Sequence, residues 1–283
     1  MKKIIPLIFA LLSLDGYCRD IETIDTARIK CSYEYKYMMD TTVRGQENYA
    51  KDILYLQIGA THSKCYSYYT RQSDSIEANG GLEEAFRRVF LEADKKGWGK
   101  KEIYGALPRR RLKTEVYKDF ARCEMTVTDR ILSQFYTYSD SINNQEWTIC
   151  GDSAKNVLGH ECQMATCRFR GRDWTAWFAL DIPISDGPWK FCGLPGLIME
   201  VYDSQREQYF CINGLSEVEA EPIYYGVMGK DLGVFQKVKR KDLLKTQYKF
   251  LRDPKSFIEM SAGMSFSFMT SSEATHDLLE RME

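Results

Sequence analysis

Residues 174–198 read Trp174-Thr-Ala-Trp-Phe-Ala-Leu-Asp-Ile-Pro-Ile-Ser-Asp-Gly-Pro-Trp-Lys-Phe-Cys-Gly-Leu-Pro-Gly-Leu-Ile198. These 25 residues contain three Trp, three Pro and three Gly. Proline fixes the backbone φ angle and glycine frees it, so a stretch rich in both residues forms a loop of defined shape. The sequence therefore predicts a rigid loop here, with Gly196 at a positive φ, rather than a flexible linker.

The segments on both sides of this loop have the patterns of paired strands. Residues 162–169 and 174–180 flank a short turn that contains Gly171, and residues 197–202 and 208–213 flank a second turn. Such spacing is typical of hairpins. Polar and apolar residues also alternate over residues 29–37, which predicts a strand with one buried face. Strands joined by tight turns pair in antiparallel fashion.

Helical patterns are confined to a few other segments. Apolar residues recur at helical spacing over residues 82–90, and residues 239–251 and 277–282 also have helical patterns. Asp129 and the pair Ser139-Asp140 are predicted to lie in turns. Because the helices are segregated from the strands, the sequence predicts one α+β domain over residues 19–283. Its main element is a large curved antiparallel β-sheet, half-barrel or sandwich-like.

The overall composition excludes several classes of protein. The chain has 283 residues, of which 44% are hydrophobic and 28% are charged, so it has the composition of a globular protein rather than a disordered one. Its formal net charge of −1 provides no general attraction for nucleic acid, so no nucleic-acid partner is expected.

The first 18 residues have the features of a secretory signal peptide. Lys2 and Lys3 precede an apolar run over residues 4–14, and small residues follow at Gly16 and Cys18. The alternative is a lipoprotein signal with an acylated Cys18, although Tyr17 before it fits that signal poorly. Either signal predicts export to the periplasm, or to the outer membrane or cell surface.

Eight cysteines follow the predicted cleavage point, and an even number in an oxidising compartment indicates disulfides. We expect at least three disulfides, and their pairing stays open. No Cys-x-x-Cys or His-x-x-x-His pair is present, so a zinc site is not expected. The cysteines concerned are Cys31, Cys65, Cys123, Cys150, Cys162, Cys167, Cys192 and Cys211.

No convincing catalytic constellation stands out in the sequence. The chain has only three His residues, and no phosphate-binding glycine loop is present. Asp181 and Asp186 are a candidate pair of carboxylates within residues 174–198, but the sequence alone does not show whether they converge. No cofactor or metal is expected, and an enzymatic activity is not favoured.

The run at residues 193–198 reads Gly-Leu-Pro-Gly-Leu-Ile, and the chain resembles the GLPGLI family of exported Bacteroidetes proteins. Three further elements of the chain resemble that family: Gly159 to Cys162, Ala176 to Phe178, and the run from Ile182 to Pro188. The resemblance implies an exported protein of unassigned biochemistry, often encoded near TonB-dependent outer-membrane transporters. The strand-loop-strand core is also similar to an N-terminal accessory domain of some bacterial glycan-releasing amidases.

These observations favour an exported binding or accessory protein that assists outer-membrane transport or envelope assembly. Its partner would be a TonB-dependent transporter or an envelope component, and its ligand an apolar molecule, a peptide or a glycan. The alternatives are a hydrolase or glycan-binding module that acts on glycans or peptides, and a loop whose role is purely structural. The candidate binding residues are Trp174, Trp177, Asp181, Asp186 and Trp189, and the motif residues are Gly187, Pro188, Gly193, Leu194, Pro195, Gly196, Leu197 and Ile198.

Ser75, Ser141 and Ser153 each stand between an Asp and an apolar residue. This pattern resembles the acceptor signal for O-glycosylation of exported proteins in the same phylum, although Asp-Ser pairs are also common at turns. We expect at least one of the three residues to carry a glycan in the native host. The intact mass of the native protein, compared with that of the chain made in a host without the pathway, tests this prediction. Identical masses would reject it.

Overall fold

The computed structural model describes residues 23–43, 48–142, 144–226, 235–262 and 277–281, so the predicted signal peptide and Cys18 lie outside the described residues. The helices are α1 Tyr68–Ala78, α2 Leu82–Lys96, α3 Lys100–Ala106, α4 Arg240–Arg252 and α5 Pro254–Ala262. The strands are β1 Thr23–Met38, β2 Tyr49–Ile58, β3 His62–Ser67, β4 Glu115–Asp119, β5 Glu124–Ile131, β6 Gln134–Ser141, β7 Thr148–Val157, β8 His160–Phe169, β9 Arg172–Ala179, β10 Leu197–Asp203, β11 Gln208–Tyr224 and β12 Gln236–Lys237.

In the part of the chain that the structure describes, the strands form one open sheet of twelve. Their order is β12-β6-β5-β4-β3-β2-β1-β11-β10-β9-β8-β7, with β12 and β7 at the edges, so the sheet is not closed into a barrel. The pairings are antiparallel except that between β12 and β6, which is parallel. The predicted α+β class with a large antiparallel sheet is confirmed. None of the described helices is long and apolar enough to cross a membrane.

β1 lies near the middle of the sheet and shows the alternation that the sequence predicts. The side chains of Cys31, Tyr33 and Tyr35 are at most 3% exposed, whereas Ser32 and Glu34 between them are half-buried on the other face. Successive side chains of a strand point to opposite faces, so the odd-numbered residues define the core face of the sheet. The irregular loop of residues 180–196 and helix α4 pack over this core face.

α2 confirms the helix predicted over residues 82–90. Its first turn carries Glu83 and Glu84 and its last turn carries Lys95 and Lys96, a distribution that complements the helix dipole. Gly97 then ends the helix at a φ of 65°, which glycine adopts without steric cost.

α4 confirms the helix predicted over residues 239–251, and the break at Asp253-Pro254 separates it from α5. The helix predicted over residues 277–282 is wrong for residues 277–281, which contain no helical turn. Ion pairs and backbone hydrogen bonds to other elements hold this segment, and these contacts outweigh its local helical preference.

The turns predicted at Asp129 and at Ser139-Asp140 are also wrong, because these residues lie inside β5 and β6. Asp is common in turns, but here the side chain of Asp129 is buried in a strand. Its carboxylate accepts hydrogen bonds from Thr114 and Gln247, which satisfy the buried oxygens. The chain turns instead next to Leu132, whose φ is 54°.

All eight cysteines expected to form disulfides are free in this structure, which therefore does not show the predicted bonds. The topology separates the two buried cysteines of the central strands. Cys31 of β1 and Cys65 of β3 both lie opposite Leu56 of β2, so a whole strand stands between them. Buried thiols pack here as small apolar side chains, and burial raises the pKa of Cys31 and of Cys65 to about 12.

Gly196 is required for a different reason from the one that the sequence suggested. Its φ lies outside the left-handed region, whereas that of Gly193 is 92°. A Cβ atom on Gly196 would lie 2.0 Å from the carbonyl oxygen of Ala179. The loop thus crosses the end of β9 so closely that no side chain fits at this position.

We therefore expect Gly196→Val to lower the free energy of unfolding by ~2 kcal/mol or more, because backbone must move to admit the side chain. Gly151→Val is the matched control, because a Cβ on Gly151 meets no atom within 4 Å and its φ is not left-handed. Urea unfolding of both variants measures the difference. A Gly196→Val variant as stable as the control would contradict the close-approach explanation.

Candidate ligand-binding site

The five candidate binding residues do not converge on one pocket. Trp174 and Trp189 are at most 2% exposed and lie in the core, with ring centroids 6.2 Å apart. Trp177 lies on the other face of the sheet, where the ammonium group of Lys155 stands 5.5 Å from its ring centroid. Asp181 is exposed, whereas Asp186 is fully buried.

The two carboxylates have separate partners. Asp181 lies 2.7 Å from Nδ1 of His160 at the surface. Asp186 forms a buried ion pair with Lys118 of β4, and neither side chain is more than 1% exposed. The sequence hypothesis of a paired-carboxylate site at Asp181 and Asp186 thus receives no support from their geometry.

Lys118 fastens the irregular loop to the sheet. Besides the Asp186 carboxylate, its ammonium group donates to the carbonyl oxygens of Gly187 at 2.9 Å and Phe191 at 2.8 Å. Burial alone would lower the pKa of Lys118, but the negative charge of Asp186 raises it above its usual value. The folded structure therefore stabilises the protonated, positively charged form of Lys118.

The loop places an aromatic cluster on the core face. The ring of Phe191 packs against those of Trp174, Trp189 and Phe210, with centroids 4.7, 5.2 and 6.0 Å away. The backbone φ of Trp189 is 52°, a conformation that bulky residues rarely adopt. The surrounding rings and the hydrogen bond from the amide of Trp189 to the sulfur of Cys65 hold it there.

The remaining motif residues serve the packing of the loop. Leu194, Leu197 and Ile198 are at most 1% exposed, and Pro188 is buried, whereas Pro195 faces solvent. A Cβ atom on Gly187 would lie 2.8 Å from Cβ of Ile198.

A cavity of about 270 Å³ lies beside this cluster, between the core face, helix α4 and the segment of residues 277–280. Its apolar wall comes from four regions, namely β5, the loop of residues 180–196, α4 and residues 277–280. The residues of this wall include Ile131, Trp189, Leu243, Leu244, Phe250 and Leu279.

Fixed polar groups interrupt the apolar wall. The hydroxyl of Tyr35 donates to the side-chain oxygen of Gln208 at 2.6 Å. The carboxylate of Asp129 accepts from the hydroxyl of Thr114 at 2.6 Å and from the amide of Gln247 at 3.0 Å. Burial raises the pKa of Asp129 above its usual value, although these hydrogen bonds oppose the change.

One side of the cavity is basic. Arg111, Lys113 and Arg130 line it, and the guanidinium group of Arg111 stacks 3.5 Å above the ring of Tyr69. Lys113 has no carboxylate within 4.0 Å among the described residues, and burial lowers its pKa. The cavity thus combines an apolar wall with cations that an anionic group can approach.

Sequence reasoning missed this cavity, apart from Trp189. The apolar face of α4 and the basic run at residues 109–111 were visible signals. Neither signal indicates that α4 packs over the sheet beside Arg111, where the chain enters β4.

The three candidate glycosylation residues differ in exposure. Ser141 is exposed at the end of β6, and Ser153 is half-buried in the bulged part of β7. Ser75 is half-buried inside α1, next to Asp74, which pairs with Arg110. Ser141 is therefore the most accessible of the three hydroxyl groups.

The fold and the site define an α+β protein with an open twelve-stranded sheet and a mixed apolar and basic cavity. The model of an uncharacterised family, described as "Protein of unknown function (Porph_ging)", matches residues 137–200. This range contains the loop and the run at residues 193–198, and the match is compatible with the GLPGLI resemblance.

A search of curated proteins finds no match. Two solved structures of PNGF-II, in space groups C2 and P21, are similar to the chain with TM-scores of 0.47 and 0.44. Both are 8% identical in sequence, and the alignments cover 77% of this chain. The chain spans about a third of their length, 32% in each case.

We expect Lys118→Met to lower the free energy of unfolding by about 3–5 kcal/mol, because it leaves the Asp186 carboxylate buried without its cation. Lys51→Met is the control, since Lys51 is 61% exposed and its ion pair with Glu34 lies at the surface. The control is expected to change stability by less than about 1 kcal/mol. Chemical denaturation of the two variants measures both effects, and equal losses would contradict the fastening role of Lys118.

Proposed function

We propose that the protein is an exported binding protein that holds a small ligand in the cavity beneath α4. The proposal includes membership of the GLPGLI family and a location in the periplasm, or at the outer membrane or cell surface. It also includes an accessory role beside a TonB-dependent transporter or another envelope component. The observation that carries the proposal is the cavity itself, which joins an apolar wall to a basic side.

The lining favours a ligand that has both an apolar part and an anionic group. Binding pockets are commonly apolar with a few fixed polar groups that orient the ligand. The acidic side chains at the cavity already have protein partners, because Asp277 and Glu280 form ion pairs and Asp129 accepts three hydrogen bonds. Lys113 and Arg111 therefore supply the positive charge that an anionic ligand would meet.

The alternative of a hydrolase or glycan-binding module has less support in the geometry. A hydrolase with two carboxylates needs both near one substrate, whereas Asp186 is buried against Lys118 and Asp181 pairs with His160 at the surface. Of the five binding residues predicted from the sequence, Trp189 lines the cavity.

The test uses the full-length protein purified from its native host and analysed by native mass spectrometry. We expect an additional mass that is released on denaturation. We expect Leu244→Trp, which places a larger side chain in the cavity wall, to reduce the ligand-bound fraction at least tenfold. Leu91→Trp is the matched control, because Leu91 lies on α2 and is 50% exposed. Equal occupancy in the two variants, or no bound mass in any of them, would contradict the proposal.

A further inference from the structure

The segment of residues 277–281, with the sequence Asp-Leu-Leu-Glu-Arg, lies against the turn between β8 and β9 as a non-helical peptide that bends at Leu279 and Glu280. The guanidinium group of Arg172 donates to the backbone carbonyl oxygens of Leu278 at 2.7 Å and Leu279 at 3.1 Å. The backbone amide of Arg281 donates to the carbonyl oxygen of Arg170 at 3.1 Å. These contacts recognise the main chain of the segment.

The two acidic side chains of the segment are recognised separately. The carboxylate of Glu280 lies against the ammonium group of Lys190 and against the guanidinium group of Arg240, with a closest N–O distance of 3.1 Å to the latter. Tyr138 also donates its hydroxyl to Glu280, at 3.4 Å. The carboxylate of Asp277 lies 3.4 Å from Arg172. Glu280 is thus the carboxylate that the receptor binds most directly, whereas Asp277 is shared between Arg172 and Arg281 of the segment itself.

The receptor side is held in part by residues outside the segment. Arg172 is 1% exposed, and Asp203 and Glu207 hold its guanidinium group at 2.7 and 2.8 Å. Gly171 allows the segment to approach closely, because a Cβ at this position would lie 2.6 Å from Cβ of Arg281. The guanidinium donors of Arg172 are thus held by carboxylates outside the segment, of which Glu207 also pairs with Arg281 of the segment at 2.9 Å.

The receptor is electrostatically incomplete without the Glu280 carboxylate. Lys190 is fully buried, and its other partners are the hydroxyl of Tyr138 and the more distant carboxylate of Asp140, 3.9 Å away. A buried ammonium group that loses its ion-pair partner pays a large desolvation cost. The site therefore favours the presence of some carboxylate beside Lys190.

We propose that this surface, formed by Arg170, Gly171, Arg172, Lys190 and Arg240, is a peptide-binding site that residues 277–281 fill in cis. Its ligand class is a non-helical peptide, bent as residues 277–281 are, with an Asp and a Glu three positions apart that flank two apolar residues. A peptide segment of this chemistry, supplied by a partner protein, exchanges with the bound segment. Leu278 and Leu279 line the cavity beneath α4, so the exchange also opens one wall of that cavity.

The test measures binding of a fluorescent synthetic peptide with the sequence of residues 275–283 to the full-length protein by fluorescence polarisation. The variant Asp277→Asn/Glu280→Gln weakens the binding of residues 277–281 to their own site. We therefore expect the peptide to bind this variant at least tenfold more tightly than it binds the wild type. A peptide carrying the same two changes is expected not to bind either protein. If the peptide bound the variant and the wild type equally, the proposal that residues 277–281 occupy the site of their own chain would be wrong.

Two further variants test the site itself. Adding Lys190→Met to the double variant is expected to abolish binding, whereas adding Lys245→Met, at a side chain of α4 that is 53% exposed, is expected to leave it unchanged. A double variant that is folded by circular dichroism and does not bind the peptide, or that binds it regardless of Lys190, would overturn the proposal.

Hydrogen exchange of the wild-type protein decides the question if the double variant does not fold. We expect the amide of Arg281 to exchange at least tenfold faster than the amides of Tyr33 and Tyr35 in β1, because a segment that exchanges with a partner opens without unfolding the sheet. If the amides of the segment and of β1 were equally protected against exchange, residues 277–281 would be an integral part of the core, and this result would overturn the proposal.

Discussion

The ammonium group of Lys118 joins the two most different parts of the molecule, the regular sheet and the irregular loop of residues 180–196. It has three N–H donors, and the Asp186 carboxylate and the carbonyl oxygens of Gly187 and Phe191 accept from them. Backbone hydrogen bonds such as those from Leu197 to Ile182 and from Ile198 to Asp186 shape the loop, and this buried cation ties it to β4 where it crosses the core face. The positions of the aromatic cluster and of the cavity wall at Trp189 both depend on that crossing.

Buried cations also hold a second irregular segment of the described chain, residues 277–281. Lys190 and Arg172 hold residues 277–281 in the same way that Lys118 holds the loop, and each is at most 2% exposed. Removing one partner of such a pair leaves an uncompensated charge in the interior, which makes each attachment specific for its segment. These ion pairs, rather than bonds between the eight free cysteines, fasten the irregular segments in this structure.

The cavity is a consequence of this arrangement. Its wall combines Trp189 from the loop, Leu244 from α4 and Leu279 from the segment of residues 277–281, three regions that the sheet brings together. The basic side comes from Arg111 and Lys113, in the chain that enters β4, and from Arg130 of β5. A ligand in the cavity would therefore contact both the loop and residues 277–280, which fill the proposed peptide-binding site, and this connects the proposed function with the proposed exchange of residues 277–281.

The sequence by itself determined the elements whose signal is local. The alternation over residues 29–37, the helical spacing in α2 and α4, and the hairpin around Gly171 each appear in the structure, because a strand or helix repeats one pattern over many residues. The tertiary structure alone decided the rest. Asp129 lies in a strand because its carboxylate accepts hydrogen bonds from Thr114 and Gln247, and residues 277–281 are not helical because Arg172 binds their backbone. Gly196 is required by the carbonyl group of Ala179, a contact that depends on where two distant backbones cross and that no local pattern contains.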